Sequence, residues 1–590
     1  MQKQHHQSLQ WLFVAAGPYR KRIVLACVLA LLSTLMGLMP FIAIYLFIDS
    51  LVKGSNPDEL WLAAGVALVG TLIRYPLLLK ASLISHQAAY DLLYSLRRRI
   101  VKHMGRVELG YFGRKNTGAL KTLLNEDVER IEVFIAHHLP DLISALCFPL
   151  FVCGFLFWLD WQLALLTLIP LPLALFFQKQ MFKGFGEKLS AWQNNLEQMN
   201  TGFIEYLRRM ELIKAFNLSL QRCMGLQNSI KRHYQLIQGW VKDSSRPLAG
   251  FQLSLESGLL LLFPVLLYFY LHEQVTLAEL TLFLMLSVAL FEPFHNLLMF
   301  GGMLSRILGG VQNIERFLDE PEQVWGHVTR VNNNTEAATG FRLDNVSFAY
   351  REKKVLRNIS CTLPAGQVTA IIGPSGAGKT TLAQLCAGFF TPQQGVIQYC
   401  GIRLDQWQEQ AFRDQVAIVF QQPDLLESSL LDNLLMGQYY SLDQVNRACQ
   451  MAGFSDVVAR LPDGYNTIMG GAGTALSGGE MQRLAITRAI LKDAPVIILD
   501  EATAFADANS EALIQQGLNQ MLKGKTVIII AHRLQTITAV DQIILLDKGE
   551  IQAIGNHQAL LEHSTLYQSL WRYQNMVITE EGLNKEAVTC

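Results

Sequence analysis

The sequence predicts a helical membrane domain of six spans followed by a soluble α/β domain with a phosphate-binding loop. Hydrophobic residues make up 51% of the chain and charged residues only 17%, a balance that favours the membrane class. The long apolar runs are concentrated in residues 1–310, and the rest of the chain has an ordinary soluble composition. This second part contains an apolar strand, a glycine-rich loop and a helix in direct succession.

Six apolar segments are long enough to cross a bilayer, which takes about 20 mostly apolar residues. They cover roughly 23–48, 60–84, 139–159, 162–182, 248–271 and 276–300. A buried core helix is the alternative for any one of them, and six such runs within 310 residues argue against it. Basic residues precede the first span (Arg20, Lys21 and Arg22) and follow the second and fourth. The positive-inside rule therefore places both termini and both long loops in the cytoplasm.

The two long loops, about 85–138 and 183–246, are polar and contain few helix breakers. Apolar residues keep helical spacing through "LKTLLNEDVERIEVFIAHH" and "EYLRRMELIKAFNLSLQR". This uninterrupted periodicity predicts spans that continue as helices into the cytoplasm and turn back through short coupling segments. Paired projections of this kind suit mechanical contact with a cytosolic domain, which is a hypothesis at this point.

Charge and cysteine content argue against several function classes. The formal net charge is +0 at pH 7, so no basic surface indicates a nucleic-acid partner. The nine cysteines include no CxxC pair, which favours isolated reduced thiols over a disulfide framework or a metal site. In "SLQWLFVAAGPYRKR" the charges follow the apolar stretch, so we expect an amphipathic helix at the membrane surface rather than a signal peptide.

Composition also indicates the domain boundaries. Residues 1–320 form the predicted transmembrane domain, and the polar segment "VWGHVTRVNNNTEAATG" places a linker over 321–340. The soluble domain is expected over 341–575, and a C-terminal tail over 576–590.

The segment "VTAIIGPSGAGKTTLAQLCAGF" (368–389) carries a phosphate-binding motif. Its loop fits G-x-x-x-x-G-K-[ST] at Gly373, Gly378, Lys379 and Thr380. Glycines let backbone N–H groups surround phosphate oxygens, and the helix N-terminus adds partial positive charge. Lys379 is predicted to reach the β/γ-phosphates, and the Thr380 hydroxyl to ligate Mg²⁺. A chance glycine-rich turn is the alternative, and the flanking strand and helix argue against it.

Two adjacent acids end the apolar strand of "VIILDEA" (496–502). A strand ending at Asp500 would deliver one carboxylate to the metal, directly or through water. Glu501 would then face the attacking water as a general base or polariser. The alternative is a helix N-terminus, where acids are favoured by the helix dipole, and both roles can hold at once. The phosphate loop in the same domain favours the catalytic role for Glu501.

Further motifs, in order along the chain, resemble those of ATP-binding cassette (ABC) proteins. "LSGGE" (476–480) with "MQRLAITRAI" resembles their signature motif, "VSFAY" their adenine-stacking loop and "AIVFQQPDLL" their Q-loop. "AFAD" and "IIAHRL" resemble the D-loop and the switch histidine. The resemblance implies ATP and Mg²⁺ as cofactors, catalytic roles for Glu501, His532 and Gln421, and metal ligation by Thr380, Gln421 and Asp500. It implies that the nucleotide is bound by Tyr350, Gly373, Ser375, Gly376, Gly378, Lys379, Thr380, Thr381, Ser477, Gly478, Gly479 and Asp507.

The resemblance extends over the whole chain. It implies an α-helical six-span transmembrane domain of the exporter type plus an α/β P-loop NTPase domain, together half of a transporter. "LRRRIVKHMGRVELGYFGRKNTGALKTLLNEDVERIE" and "EYLRRMELIKAFN" resemble the family's two intracellular loops. In this family the signature loop closes on ATP bound by the partner chain. The resemblance therefore implies an obligate homodimer or heterodimer, with that choice open, in the bacterial inner membrane with its ATPase domain in the cytoplasm.

Three departures from the usual family pattern bear on the substrate. Glu480 replaces a common Gln, Gly471 stands where many exporters have a Glu, and the D-loop reads "AFAD" instead of Ser-Ala-Leu-Asp. "DEATAFAD" with "LSGGE" resembles a subgroup that uses the exporter fold to import metal–siderophore complexes. Export of a lipid or an amphipathic drug is an alternative of equal weight. A regulatory ATPase without transport and an ATP-gated channel are the alternatives from other classes.

Glu256 lies in the fifth predicted span and Glu292, before Pro293, in the sixth. Charges are costly inside a bilayer, so such residues usually face a cavity or a partner, and here they could receive a cationic or metal-chelating substrate. A position nearer the cytoplasmic interface is the favoured alternative for Glu256. For Glu292 the alternative is a helix broken by Pro293, and the sequence leaves its role open.

Overall fold

A computed structural model describes most of the chain. The described residues are 2–54, 57–114, 117–216, 224–330, 340–350, 353–421, 423–470, 475–500, 518, 521–531 and 534–573. The chain divides into two compact units. One consists of Met1–His103 with Gly118–Glu320, and the other of Met104–Thr117 with Pro321–Cys590.

The described residues as far as 320 are mainly helical. In chain order the helices are α1 (Gln2–Ala15), α2 (Arg20–Met36), α3 (Met39–Lys53), α4 (Pro57–Met104), α5 (Leu109–Arg114), α6 (Thr117–Thr122), α7 (Val128–Val133), α8 (Leu139–Leu159), α9 (Trp161–Leu168), α10 (Pro170–Met181), α11 (Phe185–Arg208), α12 (Met210–Ala215), α13 (Met224–Leu271) and α14 (Leu277–Leu318). Single π-helical turns at Leu123–Asp127 and Phe134–His138 join α6, α7 and α8 into one continuous helix. The helical projection predicted from "LKTLLNEDVERIEVFIAHH" is therefore confirmed.

Five helical stretches of the described residues are long and apolar enough to span a membrane: Gly17–Lys53, Pro57–Met104, Gly118–Leu159, Trp161–Met181 and Gly225–Leu271. They contain the first five predicted spans. The sixth predicted span lies in α14, whose described apolar part, Leu277–Phe291, is shorter. Helices α4 and α13 have 48 residues each, a length of about 72 Å, so both extend well beyond a bilayer core.

Prolines and one aspartate shape the ends of the spanning helices. The first predicted span lies in one apolar stretch, Gly17–Lys53, which contains the two helices α2 and α3. It breaks at Gly37–Leu38, where Pro40 in the first turn of α3 lacks the N–H that a continuous helix would need. Pro170 separates α9 from α10 in the same way. The predicted turn between the third and fourth spans is confirmed, since Asp160 is extended and its carboxylate accepts the N–H groups that open α9.

The second long loop contains a break that the sequence pattern did not predict. The expectation of one uninterrupted helix through "EYLRRMELIKAFNLSLQR" is wrong, because α11 ends at Arg208 and Arg209 leaves helical geometry (φ −99°, ψ 18°). The short helix α12 then ends at Ala215. The chain has to reverse here because α13 packs back along α11. Apolar spacing carries no signal for such a reversal.

A buried carboxylate fixes the part of the first unit that lies outside the predicted spans. Asp127, on the π-helical turn before α7, is only 1% exposed. It accepts hydrogen bonds from Asn313 Nδ2 of α14 at 3.0 Å and from Arg130 Nη1 at 2.8 Å. These bonds attach α14 to the helix that continues into α8.

The second unit combines two β-sheets with short helices. Its strands are β1 (Phe341–Tyr350), β2 (Lys353–Leu363), β3 (Val368–Ile372), β4 (Gln394–Tyr399), β5 (Ile402–Arg403), β6 (Val416–Val419), β7 (Val496–Asp500), β8 (Thr526–Ile530), β9 (Gln542–Asp547) and β10 (Glu550–Gly555). Besides α5, the helices of its described residues include α15 (Lys379–Cys386), α16 (Glu409–Gln415), α17 (Leu430–Leu435), α18 (Leu442–Met451), α19 (Ser455–Arg460), α20 (Gly478–Lys492) and α21 (His557–His563). This is the α/β architecture predicted for the soluble domain.

The larger sheet brings the predicted motifs to one edge. Its strand order is β10-β9-β3-β8-β7-β6, and every neighbouring pair from β9 to β6 is parallel. These strands are nearly continuous runs of Ile, Val and Leu, as expected for strands buried on both faces. The carboxyl ends of parallel strands lie at the same edge, which is where α/β folds bind ligands. The smaller sheet is antiparallel, in the order β2-β1-β4-β5.

Residues 321–330, within the predicted linker, belong to the second unit and pack against its other residues. The Trp325 ring lies 5.8 Å from that of Phe412, and Gly326 N donates to Trp407 O at 2.8 Å. Residues 331–339 lie outside the described part of the chain.

Candidate nucleotide site

The loop between β3 and α15 requires glycine at two positions. Gly373 has φ +148°, and a Cβ there would lie 2.0 Å from the carbonyl oxygen of Leu546. Gly378 has φ +101°, and a Cβ there would lie 2.6 Å from Leu356 Cδ2. At both positions the positive φ disfavours residues with a side chain, and a Cβ would come too close to a neighbouring atom. The glycines predicted from the motif therefore hold the loop close to its own sheet.

Lys379 lies inside this loop. Its side chain is buried, and its Nζ donates to the carbonyl oxygens of Gly373 (2.9 Å) and Pro374 (3.0 Å). The ammonium is thereby held across the loop that is predicted to surround the phosphates. Such a fixed cation suits an anionic ligand, because its rotamers are already ordered.

The solvent side of the loop offers the groups that a magnesium nucleotide needs. Ser375, Gly376 and Thr380 are exposed, whereas Thr381 is buried. The N-terminus of α15 follows directly, and the N–H groups that open a helix favour anions. The Thr380 hydroxyl and the partly exposed Asp500 carboxylate are hard oxygen donors of the kind that Mg²⁺ prefers. The residues present therefore fit both ATP and Mg²⁺.

Tyr350 ends β1 beside the start of α15. Its hydroxyl lies 3.3 Å from Thr381 Oγ1 and donates to Gln384 Oε1 at 3.3 Å. Its ring meets Phe390 edge-on at 5.5 Å and is 39% exposed. The ring is thus fixed by packing and hydrogen bonds while part of it stays open for stacking.

Asp500 and Gln421 reach the same sheet edge from neighbouring strands. Asp500 is the last residue of β7, and Gln421 follows β6 by two residues. Strands β6 and β7 are paired in parallel, with Val419 opposite Leu499. The topology thus places both residues at the edge where the phosphate loop leaves β3, two strands from β7.

Several predicted positions lie outside the described residues. They are Glu501, Asp507 and His532, together with Gly471. Their proposed roles therefore rest on the sequence alone.

The signature segment forms the start of a well-capped helix. Ser477 is the N-cap of α20, its side chain accepts the Glu480 N–H, and the Glu480 side chain accepts the Ser477 N–H at 2.8 Å. Ser477 and Gly478 are exposed, while Gly479 is buried. This reciprocal arrangement is a capping box, and it leaves an exposed hydroxyl at a helix N-terminus. Such a terminus can receive an anion.

The carboxylate of Glu480 is itself paired. The guanidinium of Arg460, the last residue of α19, donates to Glu480 Oε1. Burial raises the pKa of Glu480, but the bonds from Ser477 and Arg460 outweigh it, so the net pKa is lowered. Glu480 is therefore ionised at neutral pH.

Sequence reasoning missed some residues that shape the site. Phe390 packs against Tyr350, and a Cβ at Gly110 of α5 would lie 2.9 Å from Phe390 Cε1. Glu108, just before α5, accepts the Thr391 N–H at 2.5 Å. Nothing local in "GYF" or "GFF" signals these contacts, because they join segments almost 300 residues apart.

Comparison with known protein families identifies the family of this chain. Residues 23–294 match the family model described as the ABC transporter transmembrane region, and residues 356–504 match the model described as ABC transporter. The chain belongs to the ABC transporter family. Its order, a transmembrane domain followed by one ATPase domain, makes it a half-transporter of the exporter fold.

Characterised relatives of this ABC half-transporter fall into two groups. It is 33% identical to a mycobactin import ATP-binding/permease protein of Mycolicibacterium smegmatis, covering 98% of this chain and 68% of the relative. Identity to the same-named protein of Mycobacterium tuberculosis is 35%, covering 94% of this chain and 65% of that relative. The chain thus spans about two thirds of the mycobactin relatives. It is 30% identical to an ATP-dependent lipid A-core flippase of Haemophilus influenzae, covering 81% and 82% of the two chains.

A solved structure confirms the fold. A bacterial Atm1-family ABC exporter with ATP bound superposes with a TM-score of 0.74 at 24% identity, covering 94% of this chain and 98% of that one. The predicted fold class, the ATP-binding domain and the multi-pass membrane character are thereby confirmed.

Proposed function

We propose that this ABC half-transporter dimerises and uses ATP hydrolysis to import a metal–siderophore complex. The main support is that one chain contains both an ordered phosphate loop and a capped signature helix. The same chain contains a transmembrane domain with helices longer than a bilayer is thick. The phosphate loop supplies one half of an ATP site, and the signature helix the complementary half of the partner's site. Each chain alone then has two half-sites.

The residues divide the work at the nucleotide. Tyr350 stacks on adenine, and Lys379, with backbone N–H groups of the loop, binds the phosphates. Thr380, Gln421 and Asp500 would hold Mg²⁺, which neutralises charge on the phosphates when bound. Glu501 takes a proton from, or polarises, the attacking water, and His532 contacts the γ-phosphate. The γ-phosphate is bound by the ATPase domains of both chains. Its removal therefore lets the two ATPase domains separate.

An exposed apolar surface supports dimerisation. On α11, on α12 and at the residue after α12, large apolar side chains stay open to solvent, among them Leu207 and Phe216 (67% each) and Leu212 (49%). They lie in the loop 183–246, outside the predicted spans, so lipid does not cover them. Apolar surface of this extent outside a bilayer indicates a protein partner. We place the dimer in a bacterial inner membrane, with the ATPase domains in the cytoplasm.

The proposed substrate rests on relatives and on departures in motif. Two of the relatives above are named as mycobactin importers, and the "AFAD" and "LSGGE" variants resemble the siderophore-importing subgroup. The flippase relatives favour export of a lipid or amphipathic compound as the second candidate. Glu256 of α13 is exposed and available to a metal-chelating substrate, while the side chain of Glu292 lies outside the described residues.

Transport direction separates the two candidates. The protein is reconstituted in vesicles, and external ATP energises only molecules whose ATPase domains face outwards. For these molecules, import in the cell corresponds to movement from the vesicle lumen to the outside. Vesicles preloaded with radiolabelled ferric mycobactin should release it on addition of ATP, and vesicles carrying Glu501→Gln should not.

The other outcomes identify the alternatives. ATP-driven movement of a fluorescent lipid from the outer to the inner leaflet, without siderophore release, would support the exporter and contradict import. ATP hydrolysis with neither movement indicates a regulatory ATPase. Ion conductance that ATP gates without hydrolysis indicates a channel.

A further inference from the structure

The N-terminus of α20 carries a negative charge beside the hydroxyl for which we propose phosphate contact. This charge is Glu480, three residues after Ser477. Its side chain is only 10% exposed and ionised at neutral pH. A carboxylate so near the Ser477 hydroxyl repels an incoming phosphate, and low local dielectric strengthens the repulsion.

This carboxylate forms an ion pair with a cationic side chain. Arg460 of α19 donates to Glu480 Oε1, while Glu480 Oε2 accepts the Ser477 N–H at 2.8 Å. The two carboxylate oxygens are thus divided between a charge partner and the capping box. The Arg460 side chain itself is 64% exposed, so it contributes little to the core.

The same bonds orient the signature hydroxyl. Ser477 Oγ accepts the Glu480 N–H at 3.4 Å, so its lone pair faces α20. Its own proton can then point away from the helix towards an anion. This arrangement needs the Glu480 side chain to stay in the capping box rather than turn to solvent.

We propose that Arg460 is a positioning residue of the signature loop, which neutralises Glu480 and thereby lets the loop accept the γ-phosphate of ATP held by the partner. This inference rests on the proposed function, in which ATP lies between two chains. Arg460 acts through Glu480 and not through the nucleotide. Its loss should therefore harm ATP use only while Glu480 carries a charge.

A neighbouring ion pair provides the matched control. Arg483 of α20 donates to Asp456 of α19 (3.1 Å) and to Gly453 O (2.6 Å). Asp456→Ala removes an ion pair between the same two helices, but Arg483 lies more than a helical turn from Ser477. A purely structural role for Arg460 predicts that both substitutions have similar effects.

The test measures steady-state ATP hydrolysis by the full-length protein in lipid nanodiscs. Arg460→Ala should raise KM for ATP about tenfold, the change that 1.4 kcal/mol produces, with a smaller change in kcat. Glu480→Gln alone should change KM little. The double variant Arg460→Ala/Glu480→Gln should return KM to within about twofold of wild type, and Asp456→Ala should leave it unchanged. Added salt should shrink the Arg460→Ala defect, because it screens the uncompensated carboxylate.

Two results would overturn the proposal. One is an unchanged KM in Arg460→Ala, and the other is a raised KM that Glu480→Gln fails to restore. Equal thermal unfolding temperatures of all variants would show that a change in KM does not result from misfolding. Arg460→Lys keeps the positive charge and should have a KM close to that of wild type. If wild type itself hydrolyses no ATP, the proposed function fails instead, so the two failures are distinguishable.

Discussion

At the scale of single residues, the phosphate loop is shaped before any nucleotide arrives. Lys379 is buried and bonded to the carbonyls of Gly373 and Pro374. Its side-chain entropy is therefore already lost in the folded chain, which leaves more of the binding energy for the phosphates.

Replacing Gly373 tests this description. Gly373→Ala combines an unfavourable φ of +148° with a Cβ 2.0 Å from a backbone carbonyl that cannot easily move. We expect the substitution to cost about 3 kcal/mol or more, visible as a lower unfolding temperature and lost ATP binding. Gly366→Ala is the control, since its φ is +71° with nothing within 4 Å of a Cβ, and strain alone costs about 1 kcal/mol. Equal unfolding temperatures for the two variants would contradict the description.

At the scale of elements, α5 lies next to the side chains that support Tyr350. Gly110 of α5 lies against Phe390, and Phe390 packs against Tyr350. The Glu108 carboxylate, just before α5, accepts a hydrogen bond from the Thr391 N–H. We therefore expect a displacement of Phe390 by a side chain on α5 to alter the position of the Tyr350 ring, for which we propose adenine stacking.

Two glycines of α5 test this connection. Gly110→Val should displace Phe390, because even a Cβ there lies 2.9 Å from its ring, and should raise KM for ATP roughly three- to tenfold. Gly113→Val adds the same side chain where nothing lies within 4 Å, and both carry the same helix-propensity cost. The comparison is made by ATP hydrolysis in nanodiscs. An equal KM in the two variants would show that the Gly110 contact does not reach the nucleotide.

Elements differ in how well the sequence predicts them. The strands of the larger sheet and the loop after β3 follow from apolar runs and glycine spacing, because local sequence decides both. The sequence did not predict the break before Pro40, because a proline can either start a new helix or kink a continuous one. It did not predict the break at Arg209 either, because the reversal there depends on packing against α13. The Arg460–Glu480 pair was also missed, because it joins two helices whose spacing in the sequence says nothing about their contact.

At the scale of the whole molecule, the exposed apolar surface of α11 and α12 is the surface for which we propose a partner chain. Phe203, Leu207 and Leu212 keep large apolar side chains exposed outside the predicted spans. Burial of such surface contributes about 25 cal/mol per Å², which favours association.

A charge on this surface should weaken the dimer. Leu207→Asp places a carboxylate where we expect partner contact, and we expect at least a tenfold weaker association with little change in the fold of the chain. Glu205→Gln is the control, two residues away on the same exposed helix, where Glu205 pairs only with its own neighbour Arg209 among the described residues. Particle mass in detergent, measured over a dilution series, reports the association. Unchanged association of Leu207→Asp would remove this surface from the proposed interface.

We propose that ATP hydrolysis at sites built from these motifs drives transport by this half-transporter. The decisive variant is Glu501→Gln, with hydrolysis, ATP binding and ferric mycobactin release measured in the same vesicles. We expect the variant to bind ATP as wild type does, to lose at least about 99% of hydrolysis and to release no siderophore, since general-base catalysis contributes about 10²–10⁴-fold. Hydrolysis and release at the wild-type rate would contradict this proposal.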